Sequence, residues 1–476
     1  MNKKMRFDYF SDQELMQVHE ATLDILKQVG ISTQSQRFRE ILLDHGCHEK
    51  GNRIVFTQDV IDTGMKTVPS CFQLFGRREG YVLDIGKKKA YCQTLVGAPS
   101  VIDLESGKRR DALLKDLEDI TRLADALDNV NIISPLFPRD VPQEIILTME
   151  TATLLRSSSK PFSICIESSR EMKYILQILT AVAGSEQALK DKPLATLPVS
   201  PVSPLEYGLG PAEAMLDIID AGLPLGVEPS PTMGATGPMT VVGCTAMHNA
   251  EILAGIIGAQ LYKPGCSLTI SSRTGFMDMR TGLSLWAAPE FGLAAAASNQ
   301  LARYYKIPCA PGGYSGASKI ADSQSAMEHT YNALIEGLVG SDIIGSAGSL
   351  DNALIKCYTM LVIDNEISGM VQRTVNGPEV NEDKLAVSVV KEVIEKGSNF
   401  LEQKHTRRHL RAGELWVPNI SQRQTFEQWE LTGQKMEDIV KGRARDLLTH
   451  HEVIPLSPEV EKEFDHIIAC AKRELI

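Results

Sequence analysis

The feature that most constrains this chain is an alternation that starts at about Tyr91: eight short apolar runs, loops rich in Pro, Gly and Ser after them, and seven longer amphipathic stretches in between. Repeated strand-then-helix units predict a parallel sheet, because parallel neighbours need a crossover long enough to hold a helix. The apolar runs are 93–97, 130–135, 162–166, 195–199, 224–227, 267–270, 308–310 and 342–344. Helical periodicity lies between them at 116–127, 144–156, 171–183, 211–220, 239–261, 289–304 and 321–338. Eight units favour closure into an α/β, TIM-like (β/α)8 barrel. A doubly wound open sheet has the same local pattern, and spacing alone does not separate the two.

The remaining sequence frames this unit. Residues 1–90 read as a mixed helix and hairpin module: helical periodicity runs from Asp12 to a stop at Gly30 and again from Ser35 to Gly46, with strand-like pieces at 53–56 and 71–75. Residues 91–378 form the barrel, and 379–476 read as a helical extension packed on it. At 476 residues, with 43% hydrophobic and 23% charged side chains, the chain has the profile of a soluble protein with one large core. A net charge of −11 opposes binding to nucleic acid or anionic lipid and favours small-molecule or protein partners. The start, Met1 to Phe7, has the charge of a signal peptide without the apolar stretch that must follow. Nine cysteines without paired spacing fit a reducing compartment, so a cytoplasmic location is expected.

Chemistry in a parallel barrel collects at the carboxyl ends of the strands. The loops there offer Phe137, Arg139 and Asp140; Glu167; Tyr207; Glu228, Ser230 and Thr232; Arg273 and Phe276; Tyr314, Ser315 and Lys319; and Ser349, Asp351 and Asn352. Glu228 and Glu167 each directly follow an apolar strand, where a carboxylate points into the cavity mouth; a pair of rim carboxylates held by Arg or Lys explains them equally well. Phe137, Tyr207, Phe276 and Tyr314 can supply aromatic faces for a quaternary ammonium, although each taken singly is an ordinary packing residue. Arg273, or the helix start after Gly234-Ala235-Thr236-Gly237-Pro238, suits a carboxylate. His45-Gly46-Cys47-His48 has zinc-like spacing but reads as a turn after a helix stop, so no metal site is expected. The chain has no Cys-x-x-Cys pair, His-Glu-x-x-His, Gly-x-Ser-x-Gly elbow or phosphate loop. Lys319 and Lys356 stand where a Schiff-base lysine would sit, with a solvated lysine as the bland alternative.

Residues beyond the eighth strand carry a resemblance. Leu361-Val362-Ile363-Asp364-Asn365-Glu366, Arg373, Phe400-Leu401, His405-Thr406, Arg411 and Glu414-Leu415-Trp416-Val417-Pro418 look like the tail of the trimethylamine methyltransferase family. Arg423, Trp429, Arg443-Ala444, His451 and Pro455-Leu456 continue it, and Gly312-Gly313 through Gln324 and Glu328, with the Gly234 to Pro238 loop, extend it into the barrel. Members of that family that use trimethylamine carry pyrrolysine, whereas this sequence has standard residues only. The resemblance therefore implies the non-pyrrolysine branch. Such an enzyme demethylates a quaternary amine of the glycine betaine, proline betaine or carnitine class and passes the methyl group to Co(I) of a cognate corrinoid protein docked over the barrel mouth. The corrinoid is then carried by the partner, with no zinc, NAD or pyrrolysine required. A homo-oligomer is also expected. On this reading Glu228 and Glu167 are the catalytic carboxylates. Phe137, Tyr207, Arg273, Phe276 and Tyr314 bind substrate, and Gly234, Thr236, Gly237, Ser315 and Ser349 face the corrinoid. The rival expectations are a non-catalytic betaine sensor on the same barrel and a Schiff-base lyase.

Overall fold

A computed structural model describes residues 7–87 and 89–476; the charged start Met1–Arg6 lies outside them. Seven of the apolar runs form the strands β1 (Tyr91–Thr94), β2 (Val130–Ile132), β3 (Phe162–Ser163), β4 (Ala195–Val199), β5 (Leu225–Val227), β6 (Leu268–Ile270) and β8 (Ile343–Ala347). The remaining run, β7 at 308–310, pairs through Cys309 alone. Parallel ladders join β3 to β4, β4 to β5 and β5 to β6. Parallel bridges Ile133 to Phe162 and Ile270 to Cys309 carry the order from β2 to β3 and from β6 to β7. Ile343 N–H donates to Cys309 O at 3.1 Å, and β8 and β2 both pair in parallel with β1. The sheet therefore closes on itself, and the open doubly wound alternative is excluded.

Each strand is followed by a helix on the outside: α1 (Leu114–Ala126), α2 (Ile146–Ser157), α3 (Met172–Ala183), α4 (Leu209–Asp220), α5 (Val241–Tyr262), α6 (Ala288–Tyr305), α7 (Ser323–Val339) and α8 (Tyr358–Asn376). The last of these is absent from the stretches read as helical in the sequence. α5 is long and apolar enough to cross a bilayer, yet 83% of its apolar window is buried inside the protein. Its apolarity on all faces follows from its cover. One side meets the barrel, and the other meets the amino-terminal module, where a Cβ on Gly258 would lie 2.3 Å from the Phe38 ring. That module holds helices Asp12–Gln28, capped by a Ser11/Glu14 box, and Gln36–Asp44, capped by Ser35. Gly30 ends the first helix at φ +68°, with Ile54 O so close that no side chain fits there.

The antiparallel hairpin Phe72–Phe75/Val82–Ile85 stoppers the barrel's amino-terminal end. Leu74, Leu83 and Ile85 form one buried cluster with Tyr91, Ile132, Ala310 and Ile343, the first inward layer of β1, β2, β7 and β8. The far end, where the strands finish, is where a site can open. In the extension, Pro458–Leu475 buries Phe464, Ile467, Ile468 and Ala471, and Met436–His450 buries Val440 and Ala444.

Candidate active site

The inner wall above the stopper follows from strand alternation. Ile132, Ala310 and Ile343 point inward, so Ser134, Gly312 and Gly345, two residues on, share their face. On β5, Val227 packs on Gly255 of α5, which turns Gly226 and Glu228 inward. Short side chains thus line the upper barrel. At the mouth stand two charged groups, Arg273, just past β6, and Glu228, at the end of β5, paired at 2.8 Å with side chains only 12% and 7% exposed. The Glu228 backbone is fixed by its N–H donating to Val199 O and by the Ser200 hydroxyl donating to its carbonyl. Burial pushes the Glu228 carboxyl upward, and Arg273 works against that rise.

A second carboxylate, Glu336 of α7, is fully buried against the Gly313 backbone. Burial raises its carboxyl well above the usual range, again opposed by Arg273. Gly313 has to be glycine because a Cβ there would meet Glu336 Oε2 and Ile344 at 2.4 Å. Buried side-chain atoms without a partner concentrate here. Of fifteen such atoms among the described residues, four belong to Ser272, Arg273, Thr274 and Ser349, in the loops past β6 and β8, and four to His329, Asn332 and Glu336 of α7, which pack behind those loops. Buried polar groups in native proteins are satisfied by protein, solvent or ligand, and the loop atoms are placed to meet a polar ligand.

The loops after β7 and β8 are held from behind. Glu328 accepts from Ala317 N–H at 2.8 Å, Asn332 donates to Ser315 O at 3.0 Å, and Asp364 of α8 accepts from Gly348 N–H at 2.6 Å. The other Asp364 oxygen meets His329 Nδ1 at 2.8 Å, both side chains being fully buried. Burial raises the Asp364 carboxyl, and His329 opposes the rise.

The structure brings Glu228 and Arg273 together and separates most of the other residues singled out in the sequence. Glu167 lies four residues past β3 and is exposed. Phe137 is half-buried beside the mouth, its N–H donating to Ala98 O. Phe276 belongs to the hairpin Gly275–Asp278/Leu283–Leu285 beyond β6 and packs beside Met233, Met239 and Met279 on the rim. Two aromatic assignments are corrected. Tyr207 lies outside the barrel: its hydroxyl donates to Glu251 O at 2.6 Å, its ring packs on Phe38, and its short strand pairs with Ser32–Thr33. Tyr314 is buried behind the wall, its hydroxyl beside Cys92 and Ser368. Neither ring faces the mouth.

Gly234, Thr236 and Gly237 form an exposed or half-exposed turn at the rim, closed by Gly234 N–H to Gly237 O and Thr232 N–H to the Thr236 hydroxyl. α5 starts only at Val241, so this turn does not open the helix directly. Ser315 is buried and donates to Gly312 O, which makes it a loop brace; the buried Ser349 hydroxyl is unpartnered and belongs to the polar cluster. Lys319 is exposed and paired with Asp351. Lys356 is fully buried and donates to Leu95 O, Ser134 O and the Thr94 hydroxyl, so all three of its protons are engaged. Its lowered pKa of about 7 follows from burial, with Glu150 opposing.

Cys47 of the His45–His48 turn is buried, its thiol pushed up to about 12, while His48 is exposed on a strand edge. Asp383, His405 and His409 do stand within ligand reach of one another in the carboxy-terminal segment, but Arg408 and His409 already share the Asp383 carboxylate. A cavity of about 770 Å³ lies between α3 and the last helix, and one of about 400 Å³ lies beside the starts of α7 and α8; neither touches Glu228 or Arg273. Sequence reasoning missed Glu336, His329 and Asn332, which sit inside the 321–338 helical pattern, where nothing marks a polar residue as facing inward rather than solvent.

Comparison with known proteins covers nearly the whole chain. Residues 1–475 match the family model described as trimethylamine methyltransferase (MTTB). The trimethylamine methyltransferase MttB of Desulfitobacterium hafniense is 30% identical over 90% of this chain and 86% of its own length. A glycine betaine methyltransferase of another strain of that organism is 27% identical over 99% of this chain and 98% of its own. Among solved structures, the Methanosarcina barkeri monomethylamine methyltransferase (MtmB) covers 95% of this chain and 96% of its own at 12% identity and a TM-score of 0.49.

Proposed function

The chain belongs to the trimethylamine methyltransferase family, and from that premise we propose that it takes a methyl group from a quaternary amine of the betaine type and delivers it to Co(I) of a corrinoid carried by a separate protein. The observation that carries this reading is the Glu228–Arg273 pair, 2.8 Å apart and nearly buried at the strand ends. A betaine is a zwitterion. Its ammonium has no N–H to donate and is recognised through charge and methyl packing, while its carboxylate suits a guanidinium. A buried Glu/Arg dipole complements both ends at once, with Glu228 toward the cationic nitrogen and Arg273 toward the carboxylate. Glycine betaine, proline betaine and carnitine all have this form. The full chain length of a glycine betaine methyltransferase aligns with this sequence, which supports the same class.

The transfer is an in-line displacement. The reduced corrinoid, when docked, supplies the electron pair that takes the methyl carbon, and the C–N pair stays on nitrogen. The leaving group is then a neutral tertiary amine, so no proton donor is required at nitrogen. The chain's own work is orientation: Glu228 and Arg273 fix the substrate's two charges so that one methyl group faces the opening, and the buried mouth excludes water. Ser272, Thr274 and Ser349 supply hydroxyls toward the bound polar group. The rim suits a protein carrier. Leu209, Met239, Met279, Ile320, Met327 and Leu354, each near a strand end or helix start at the mouth, are all 49–67% exposed. Such exposed apolar side chains around a polar centre mark a docking surface.

Against the lyase alternative, Lys356 is fully buried and donates to three acceptors, and Lys319 is exposed and paired with Asp351. The test is to mix the protein with cob(I)alamin and a panel of betaines. Loss of the Co(I) absorbance with one betaine is expected; an unchanged spectrum with glycine betaine, proline betaine and carnitine alike overturns the reading.

A further inference from the structure

The carboxy-terminal arm, 380–436, is short of a core. Among the described residues its only buried large apolar side chains are Val393 and Ile420, and the helices Glu382–Leu385 and Lys404–Arg411 bury nothing. Something other than apolar burial has to fix these two helices against each other, as disulfides and metal ions do where a core is too small. Among the described residues the hydrogen bonds between the two helices all end on Asp383. His405 Nε2 lies 2.9 Å from the Asp383 carbonyl oxygen, His409 Nε2 lies 3.0 Å from Oδ2 of its carboxylate, and Arg408 pairs with Oδ1.

The same three residues form a ligand set. Residues four apart share a helix face, so His405 and His409 stand side by side, their ring centroids 4.2 Å apart, and both turn Nε2 toward Asp383. One ligand atom from each of Asp383, His405 and His409 lies within 4.8 Å of the other two. Two imidazoles and a carboxylate suit zinc, which takes nitrogen and oxygen ligands at about 2.0–2.2 Å in a tetrahedron, with water in the fourth position. A hard ion such as calcium would ask for oxygens throughout. The bonds already made leave room for the ion. Zinc on Oδ2 keeps Oδ1 for Arg408, and a ligating carboxylate is ordinarily held by just such an outer hydrogen bond. The His409 side chain is largely buried, which shields one side of the set. In this barrel the helices run back from the mouth, so the end of α8, just before Asp383, lies at the stoppered end. The set therefore stands away from Glu228 and Arg273, and an ion there would brace the arm rather than take part in the methyl transfer.

We propose that Asp383, His405 and His409 form a structural zinc site that ties helix Lys404–Arg411 to helix Glu382–Leu385. Calorimetric titration of zinc into the chelator-treated full chain tests it, with cobalt(II) as a spectroscopic probe of the same site. One zinc per chain is expected, cobalt(II) should show the ligand-field bands of four-coordination, and zinc should slow proteolysis within 380–436. His409→Gln should lower zinc affinity by at least about 10- to 100-fold, the loss typical of even an outer partner of a metal site. Its circular dichroism should be retained, since helix Lys404–Arg411 buries nothing. A folded wild type that takes up no stoichiometric zinc overturns the proposal, and so does zinc held equally well by His409→Gln. Carbethoxylation of the wild-type histidines, read by mass spectrometry, needs no variant: zinc should protect His405 and His409, and rings that react equally with and without zinc also overturn it.

Discussion

At the scale of single residues, the account rests on two charges that compensate each other in a place where neither is stable alone. Removing one partner of a buried pair leaves an uncompensated charge, at a cost of about 3–5 kcal/mol. Arg273→Ala should therefore lower the melting temperature more than Glu228→Gln, because the glutamine remains a neutral hydrogen-bonding partner. In binding, Glu228→Gln removes the charge facing the ammonium and should weaken betaine affinity about 10- to 100-fold, as measured by calorimetry. The pH dependence has a definite sign. Burial raises the Glu228 carboxyl, and only the ionised form holds a cation, so affinity should fall as pH drops through a value above the usual carboxylate range. Because Arg273 opposes that rise, Arg273→Ala should shift the limb to higher pH; a limb that stays in place would show that the two groups do not communicate. Glu228 directly follows β5 and Arg273 lies three residues past β6, and the structure pairs the two. Tyr207 and Tyr314, eight and four residues past their runs, turn away from the mouth. Position after a strand gives height along the barrel, but beyond the last ladder bond the alternation no longer says which way a side chain turns.

At the scale of elements, the buried helix α5 joins the module to the barrel. Gly258 faces the Phe38 ring at 2.3 Å from a would-be Cβ, so Gly258→Ala should destabilise the protein by about 1–3 kcal/mol through overpacking, read from urea melts. On the same helix Glu251 accepts from Leu205 N–H and the Ser203 hydroxyl, and burial raises its pKa to about 7. A carboxyl raised in the folded state stabilises the fold at low pH and loses that contribution as pH rises from its ordinary 4.5 through about 7. The loss is on the order of 3 kcal/mol. Glu251→Gln should flatten the stability profile between pH 5 and 8; an unchanged slope would mean another group governs it. The eight strands and seven of the eight helices were legible because a change of period from two to 3.6 marks each boundary. β7 survived as a run of three residues with a single bridge, and α8 went unread because it follows the irregular turn at Asp351, Asn352 and Ala353, all at positive φ.

At the scale of the whole molecule, two apolar surfaces face outward: the mouth rim and the carboxy-terminal arm. Met279→Glu with Ile320→Glu should slow transfer to the corrinoid carrier at least tenfold while betaine affinity, measured separately, holds. The extension 379–476 was expected to pack on the barrel: Met436–His450 and Pro458–Leu475 bury apolar side chains, whereas most large apolar side chains of 380–436 are exposed, a difference that the spacing of an apolar stripe does not encode. Asp364, one of the residues that carry the resemblance, braces the loop after β8 through Gly348 N–H and His329. The most direct measurement is a mass balance on the proposed methyl donor. With ¹³C-methyl glycine betaine, proline betaine or carnitine and reduced corrinoid, NMR should show one labelled methyl on cobalt for each demethylated tertiary amine formed, and both products about 10- to 100-fold more slowly with Glu228→Gln at the same sub-saturating substrate concentration. Labelled betaines that all bind and return intact would contradict the account.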